Sequence, residues 1–404
     1  MAHPVRRLVL ACHFWSALLL GAWFVLLGLT GSALVFYLDI DRALNPQIQV
    51  ARPARPSQSL EAIHQALRQT YPERDGPWRI ELPLHADMPV MARYQKPVER
   101  AGRYFAPLLV TLAPAQASAL APNTLEVTSS RFWGDTVVTW LFDLHYTLLL
   151  GAAGLTLVGI VGLVNLAMLL SGLYLWWPSA ARLRSALRVL PRSGAVRRAY
   201  DLHCAGGVYW LLVLAVLCGT GAALAFPEQA RALVHANPPP AAPAPTRLRD
   251  TPRTISLDVA VAHAKARFGD AEVRWVETSG VGGTPIALRM RQQSEPSRRF
   301  PQTRVWLDPA SGEILAVSDP LAANAGARAL YWMHPLHNGE AFGLGGRIAV
   351  FISGLIPLLL FVTGLMRWRH KVRARASGRE SPLAVTLPAA NAGTGSRHGC
   401  SVNR

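Results

Sequence analysis

The chain is short of several things, and each shortage closes a class of function. It has only four cysteines, Cys12, Cys204, Cys218 and Cys400, and no Cys-x-x-Cys-His run, which excludes covalent c-type haem attachment. No G-x-G-x-x-G occurs in a strand–turn–helix setting, so nothing in the chain suggests a flavin or nicotinamide site of its own. Charged residues make up only 16%, and Asp and Glu (24) are far outnumbered by Lys and Arg (41), for a net charge of +17. Hydrophobic residues reach 51% of the 404, too many for an ordinary soluble domain and too few for a protein lying wholly in the bilayer.

The apolar residues gather in four runs, 11–38, 137–177, 202–226 and 342–368. A hydrocarbon core about 30 Å thick needs roughly 20 residues of helix, so each run can span it. The second run is longer than required, and its first turns are expected to project beyond the bilayer or lie in the interface. The first run, preceded by Arg6 and Arg7, is too long for a signal-peptide core and is read as a retained helix.

Basic residues set the orientation. The loop 178–201 carries Arg182, Arg184, Arg188, Arg192, Arg197 and Arg198, with no Lys and almost no acid. The segment after the fourth run carries Arg369, Lys371, Arg373, Arg375 and Arg379. By the positive-inside rule these segments, with residues 1–10, lie in the cytoplasm, and 39–136 and 227–341 lie outside, in a bacterial periplasm. Much of the positive charge is therefore topogenic and faces anionic lipid, and no nucleic-acid partner is needed to explain it. All four cysteines fall in the cytoplasm or the membrane, where no disulfide is expected. The stretch 369–404 is expected to be a largely disordered tail.

The sequence repeats itself. The third run laid on the first matches His13 with His203, Thr30 with Thr220, Gly31 with Gly221 and Phe36 with Phe226. The fourth laid on the second matches Trp140 with Trp332, His145 with His337, and Gly151, Gly154, Gly162 and Gly172 with Gly343, Gly346, Gly354 and Gly364. Shared Leu or Val would mean little in apolar helices, but shared His, Trp and Gly in one register point to an internal duplication. Between the runs, SLEAIHQAL resembles SLDVAVAHA, each a short helix opened by a serine cap. EVRWVE and IALRMR alternate like strands, and RVWLDPASGEIL reads as two strands around an Asp-Pro-x-x-Gly turn. The expected architecture is an α-helical membrane protein: a four-transmembrane-helix bundle from an internal duplication, with two small periplasmic α+β domains.

Of the twelve histidines, four stand at matched depths. His13 and His203 open the first and third runs on the inner side, and His145 and His337 lie near the outer starts of the second and fourth. Ionisable groups in a bundle are costly and usually face its interior or a pathway. A lone histidine there is more often an interfacial anchor, but two depth-matched pairs favour ligation. Two imidazoles from facing helices suit the axial positions of a haem iron, giving two bis-His haem b sites, whereas zinc would call for further Cys or carboxylate ligands at each level. His334 is the alternative outer ligand. Arg6, Arg7 and Arg198 inside, and Arg131 and Arg347 outside, are candidate partners for haem propionates.

The chain resembles the PepSY-associated transmembrane family, which includes iron-regulated inner-membrane proteins and ferric-siderophore reductases. The carrying segments are CHFWSALLLGAWFVLLGLTGSALVF, LFDLHYTLLLGAAGLTLVGIVGL, SGLYLWWP, YDLHCAGG, GTGAALAF and HPLHNGEAFGLGGR, and SLDVAVAHAKARF with TRVWLDPASGEILAVSDP resembles a PepSY domain. The resemblance implies four helices, two periplasmic PepSY-like domains, haem held by helix-borne histidines, and reduction of the iron of a ferric siderophore or other ferric chelate. The first outer segment departs from that pattern, with Ala113-Pro114 where the turn is expected. The electron donor is expected to be a cytoplasmic molecule or a quinol. The alternative from another class is a non-catalytic membrane regulator or peptide-binding protein.

Overall fold

The structure is a computed structural model that describes residues 4–48, 59–84, 88–114, 125–245, 254–280 and 282–376. The tail expected to be largely disordered over 369–404 is helical as far as Ala376, and the rest of it, with Cys400, lies outside the described residues. Cys12, Cys204 and Cys218 are free thiols.

Helix α1 (Pro4–Val35) is long and apolar enough to cross a membrane, and α2 (Tyr37–Leu44) follows it almost directly. After α3 (Leu60–Thr70), the expected single helix over 137–177 is broken into α4 (Val137–Thr147) and α5 (Gly151–Trp176), and only α5 qualifies as a span. The physical reason is local: Leu148 and Leu149 take left-handed backbone at φ 50° and 62°, and Gly151 follows at 61°. No helix continues through three such residues. The arginine-rich loop holds the short α6 (Leu183–Ala186). The third run also begins earlier than expected, as α7 (Ala195–Tyr209), and bends by 61° at Trp210 into α8 (Leu211–Ala225). Next come α9 (Pro227–Leu233), α10 (Leu257–Arg267), α11 (Ala325–Tyr331) and α12 (Met333–His337). Finally α13 (Gly343–Ser353) and α14 (Ile356–Ala376) lie within the span Glu340–Ala376, entered through Gly339 and Gly343 at φ 78° and 59°. Among the described residues, three helices are thus long and apolar enough to cross a membrane, or four if the bent α7–α8 pair is one span.

The strands are β1 (Trp78–Glu81), β2 (Val90–Tyr94), β3 (Leu108–Pro114), β4 (Leu125–Phe132), β5 (Glu272–Glu277), β6 (Ile286–Arg291), β7 (Thr303–Leu307) and β8 (Ile314–Ser318). The alternating runs and the Asp-Pro-x-x-Gly turn fall where the sequence places them, with Gly312 left-handed at φ 75° and Asp308 accepting from the Ser311 amide at 2.8 Å. The two expected small domains, however, are one sheet. Its order is β4-β3-β2-β1-β5-β6-β7-β8, antiparallel throughout, and β1 pairs with β5 through Ile80 opposite Val276. Joining the two meanders edge to edge removes two exposed strand edges, each a row of unpaired backbone groups.

Helices α3 and α10 cover one face of this sheet over a single core. Leu60, Ile63 and Leu67 pack with Leu257, Ala260 and Ala264 onto Trp78, Ile80, Val110, Val276, Leu288 and Val305. The two helices also exchange end charges. Each has its own serine cap, Ser59 and Ser256. In addition, the Asp258 carboxylate accepts from the Leu60 amide at 2.9 Å and the Glu61 amide at 3.2 Å, while Glu61 accepts from the Leu257 amide at 3.0 Å. A carboxylate at a helix N-terminus satisfies free N–H groups and opposes the helix dipole. Asp258→Ala is expected to destabilise the sheet domain by about 1–2 kcal/mol, within the range of cap removals. Thermal unfolding of the full chain, followed by limited proteolysis within 59–132 and 254–318, measures this, and a change near zero would show that the crossed caps do not join the halves.

Candidate functional site: four imidazoles in the helix bundle

Each of the four matched histidines meets a hydroxyl residue followed by glycine on a neighbouring helix. His13 Nδ1 lies 2.9 Å from Ser171 Oγ, and His145 Nδ1 lies 2.9 Å from Thr30 Oγ1. His203 Nδ1 lies 3.1 Å from Thr363 Oγ1 and 3.0 Å from the Leu360 carbonyl. His337 Nδ1 lies 3.0 Å from Thr220 Oγ1 and 3.2 Å from the Leu217 carbonyl. Helices α1 and α5 with α4 exchange partners with one another, and so do α7 and α8 with α12 and α14.

These contacts point to the ring nitrogen that carries the proton. Every one of the four hydroxyls donates its hydrogen to a carbonyl of its own helix: Thr30 to Leu26 at 2.8 Å, Ser171 to Met168 at 2.8 Å, Thr220 to Val216 at 2.7 Å and Thr363 to Leu359 at 2.6 Å. The hydroxyl oxygen can then only accept, and a carbonyl can do nothing else, so Nδ1–H is the donor in each ring. Nε2 is left with its lone pair. Among the described residues no hydrogen bond reaches the Nε2 of any of the four. A ring held through Nδ1–H with Nε2 free is the usual state of a metal-ligating histidine.

The glycine beside each hydroxyl gives the ring its room. A Cβ at Gly31 would stand 2.9 Å from His145 Cε1, and one at Gly221 3.0 Å from His337 Cε1. At Gly172 the distance to His13 Cε1 would be 3.2 Å, and at Gly364 the distance to His203 Cε1 3.6 Å. The other glycines of the repeat do different work. Gly28 and Gly354 let α1 and the end of α13 meet backbone to backbone, and Gly162 faces Cys218 and Ala222 of α8.

His145 and His337 come together at the outer end, with ring centroids 6.3 Å apart and planes inclined by 47°. Metal–imidazole bonds run about 2.0–2.1 Å, so rings at this separation leave room for one metal ion between them. At the inner end His13 and His203 are close enough to interact electrostatically. All four rings are enclosed by the bundle yet keep accessible surface, as walls of a cleft between helices do. Among the described residues no three of His, Cys, Asp and Glu converge, so each level offers two imidazoles.

His334 is arranged the opposite way. The Asn338 side-chain amide donates to its Nδ1 at 3.3 Å, which leaves the proton on Nε2, and its ring packs on Phe300 with centroids 4.3 Å apart. Burial pushes its pKa down to about 4, helped by nearby His337 and Arg299. It is a neutral imidazole with no lone pair to offer from Nε2.

The arginines sort unevenly. Arg131 forms a bidentate ion pair with Asp41 of α2 and is spent there. Arg347 donates to the Val35 carbonyl at 2.9 Å and approaches Asp39 at 3.3 Å, and Arg6 donates to the Leu175 carbonyl at 2.9 Å. Arg198 reaches the Pro191 carbonyl. Sequence reasoning missed Arg299. Its guanidinium stacks 4.2 Å over the Tyr37 ring, in a crevice between the sheet and α2 that Leu38, Met91 and Trp275 also line, with no carboxylate within ion-pair distance among the described residues. Burial lowers its pKa to about 9, against the pull of Glu340. Ser171 and Thr363 were missed as well, although they stand directly before the matched Gly172 and Gly364 in the sequence.

Membrane-crossing helices joined to an extramembrane antiparallel sheet, with histidines seated between the helices, define a multi-helix membrane protein. The chain belongs to the family of the PepSY-associated TM region, whose model matches residues 10–371. Comparison with curated proteins gives no match.

The glycine contacts give a stability test that needs no ligand. Gly31→Ala and Gly221→Ala are expected to destabilise the bundle by about 1–3 kcal/mol, the usual range for overpacking, because the ring or helix must give way. Gly364→Ala, in ordinary contact with His203, is expected to be nearly neutral. Equal effects at all three positions in thermal unfolding would show that the rings do not depend on these glycines.

Proposed function

We propose that the protein carries electrons across a bacterial inner membrane and reduces the iron of a ferric siderophore or similar ferric chelate on the periplasmic side. The observation that supports this most is the common setting of the four imidazoles: Nδ1–H donated, Nε2 free, a glycine against Cε1. A structural histidine has no need of one tautomer, and four in the same arrangement at two depths suggest ligands.

In this reading the α7–α8 pair is a fourth span, the bundle is an internal duplication, and the two halves of the sheet are PepSY-like units. The arginines of loop 178–201 and of the last turns of α14 keep both termini in the cytoplasm. His13 and His203 would hold one haem b near the inner face, and His145 and His337 another near the outer face. Bound there, the two groups would supply one-electron redox centres at the two faces of the membrane. The residues do the rest. Ser171, Thr30, Thr363 and Thr220 hold each ring by its Nδ1–H and so keep Nε2 aimed and unprotonated. Arg299, enclosed at the outer mouth without an acid, would take a propionate.

The reaction is a simple exchange of electrons. Fe³⁺ in the chelate gains one electron and becomes Fe²⁺, which hard oxygen donors hold less tightly. A quinol or cytoplasmic donor loses electrons, and a quinol gives two, with two protons, and so serves two ferric ions.

Protein purified from haem-replete cells is expected to be red and to contain two haems per chain. His13→Ala and His203→Ala should each lose one, and His145→Ala and His337→Ala the other, whereas His334→Ala should keep both. Colourless protein sinks the proposal, and full haem content in all four single variants sinks the ligand assignment. With a reduced quinol supplied, trapping of Fe²⁺ from a ferric chelate tests the reaction itself.

A further inference from the structure

The face of the sheet opposite α3 and α10 looks toward the outer mouth of the bundle, and it is lined with arginines. In the first half, and at the joint, each has an acid. Arg79 pairs with Glu277 at 2.7 Å, Arg93 with Glu81 at 2.6 Å, and Arg131 with Asp41. In the second half the acids run out. Arg289 of β6 and Arg304 of β7 stand directly opposite each other in the ladder, and among the described residues neither has a carboxylate within ion-pair distance. Glu277, which acts electrostatically on both, is held at Oε1 by both Nε and Nη2 of Arg79.

Like charges directly opposite on neighbouring strands are destabilising, and both groups are half-buried. Burial, with Arg304 and Arg79 adding repulsion, pushes the Arg289 pKa down to about 9, and burial lowers that of Arg304 too. The sign is instructive. A base whose folded pKa lies below its unfolded one destabilises the fold while it is protonated, and this penalty persists at neutral pH and fades only as pH rises toward the unfolded value. Arg289 is thus charged at neutral pH at the expense of stability.

What lies beside the pair is also informative. The Arg289 guanidinium sits 4.6 Å from the Trp275 ring, with Arg79 at 4.8 Å. Trp275 packs on Phe300 at 5.6 Å, and Phe300 on His334 at 4.3 Å, which is one turn from His337. The arginine pair is therefore joined through Trp275 and Phe300 to His334, which shares helix α12 with His337 of the outer imidazole pair.

We propose that Arg289 and Arg304 form the recognition site for the carboxylate groups of an anionic ferric chelate. Arginine forks match carboxylates in pairs, and an anion seated here supplies the charge that the second half of the sheet lacks. The inference rests on the ferric-chelate reading above and specifies the charge of the chelate.

The test uses the full chain, haem-loaded, in detergent. Calorimetric titration compares two redox-inert probes, the anionic gallium(III) citrate complex and the neutral gallium(III) tris(acetohydroxamate). The citrate complex is expected to bind, and Arg289→Met and Arg304→Met each to weaken it at least tenfold while haem content stays at the wild-type level. Without chelate, Arg289→Met should raise the unfolding temperature, whereas loss of a merely structural residue would lower it. Tighter binding of the neutral complex, or citrate binding unchanged in both variants, overturns the proposal. Loss of haem in the variants also overturns it, and assigns the pair to propionates. A protein that reduces neutral ferric chelates but ignores the citrate complex keeps the reductase reading and loses this one. A protein that binds gallium citrate but reduces nothing keeps the anion site and loses the reductase reading.

Discussion

The site depends on a hydroxyl that has already given its hydrogen away. Thr30, Ser171, Thr220 and Thr363 each bond back to the carbonyl one turn earlier, a habit of Ser and Thr inside apolar helices. Once that hydrogen is committed, the oxygen accepts, and the imidazole across the interface has one protonation pattern open to it. A local helical preference thereby decides the chemistry of a ring on another helix. The glycine that follows lets the helices approach closely enough for the bond to form.

The sheet applies the same economy at a different scale. Two meanders, each led by a serine-capped helix, meet through β1 and β5, and the crossed carboxylates of Glu61 and Asp258 bind the helices above the joint. The halves match in backbone and differ in charge. Arg79, Arg93 and Arg131 are neutralised by Glu277, Glu81 and Asp41, while Arg289 and Arg304 are not. Where two similar units fold alike, a difference of this kind is better explained by a task than by the needs of the fold.

Much of this was legible in advance, for identifiable reasons. Long apolar runs, serine caps, the Asp-Pro-x-x-Gly turn and the alternation of EVRWVE and IALRMR are local signals, and the helices and strands appear where those signals put them. The continuity of the second run was misleading. Apolar residues continue from Val137 to Trp177, but Leu148 and Leu149 turn left-handed, and hydropathy carries no information about backbone sign. The fusion of two units into one sheet was equally hidden, because strand pairing across nearly two hundred residues leaves no mark on either strand alone.

The sequence by itself determined that this chain is a membrane protein, that its histidines fall in two matched pairs, and where its turns and caps lie. These follow from composition, periodicity and short-range sterics. Only the tertiary structure decided which hydroxyl meets which imidazole, that His145 and His337 stand 6.3 Å apart, that His334 holds its proton on the other nitrogen, and that Arg289 and Arg304 stand opposite each other with no ion-paired acid among the described residues. Those are matters of contact between distant segments, and contact is set by packing.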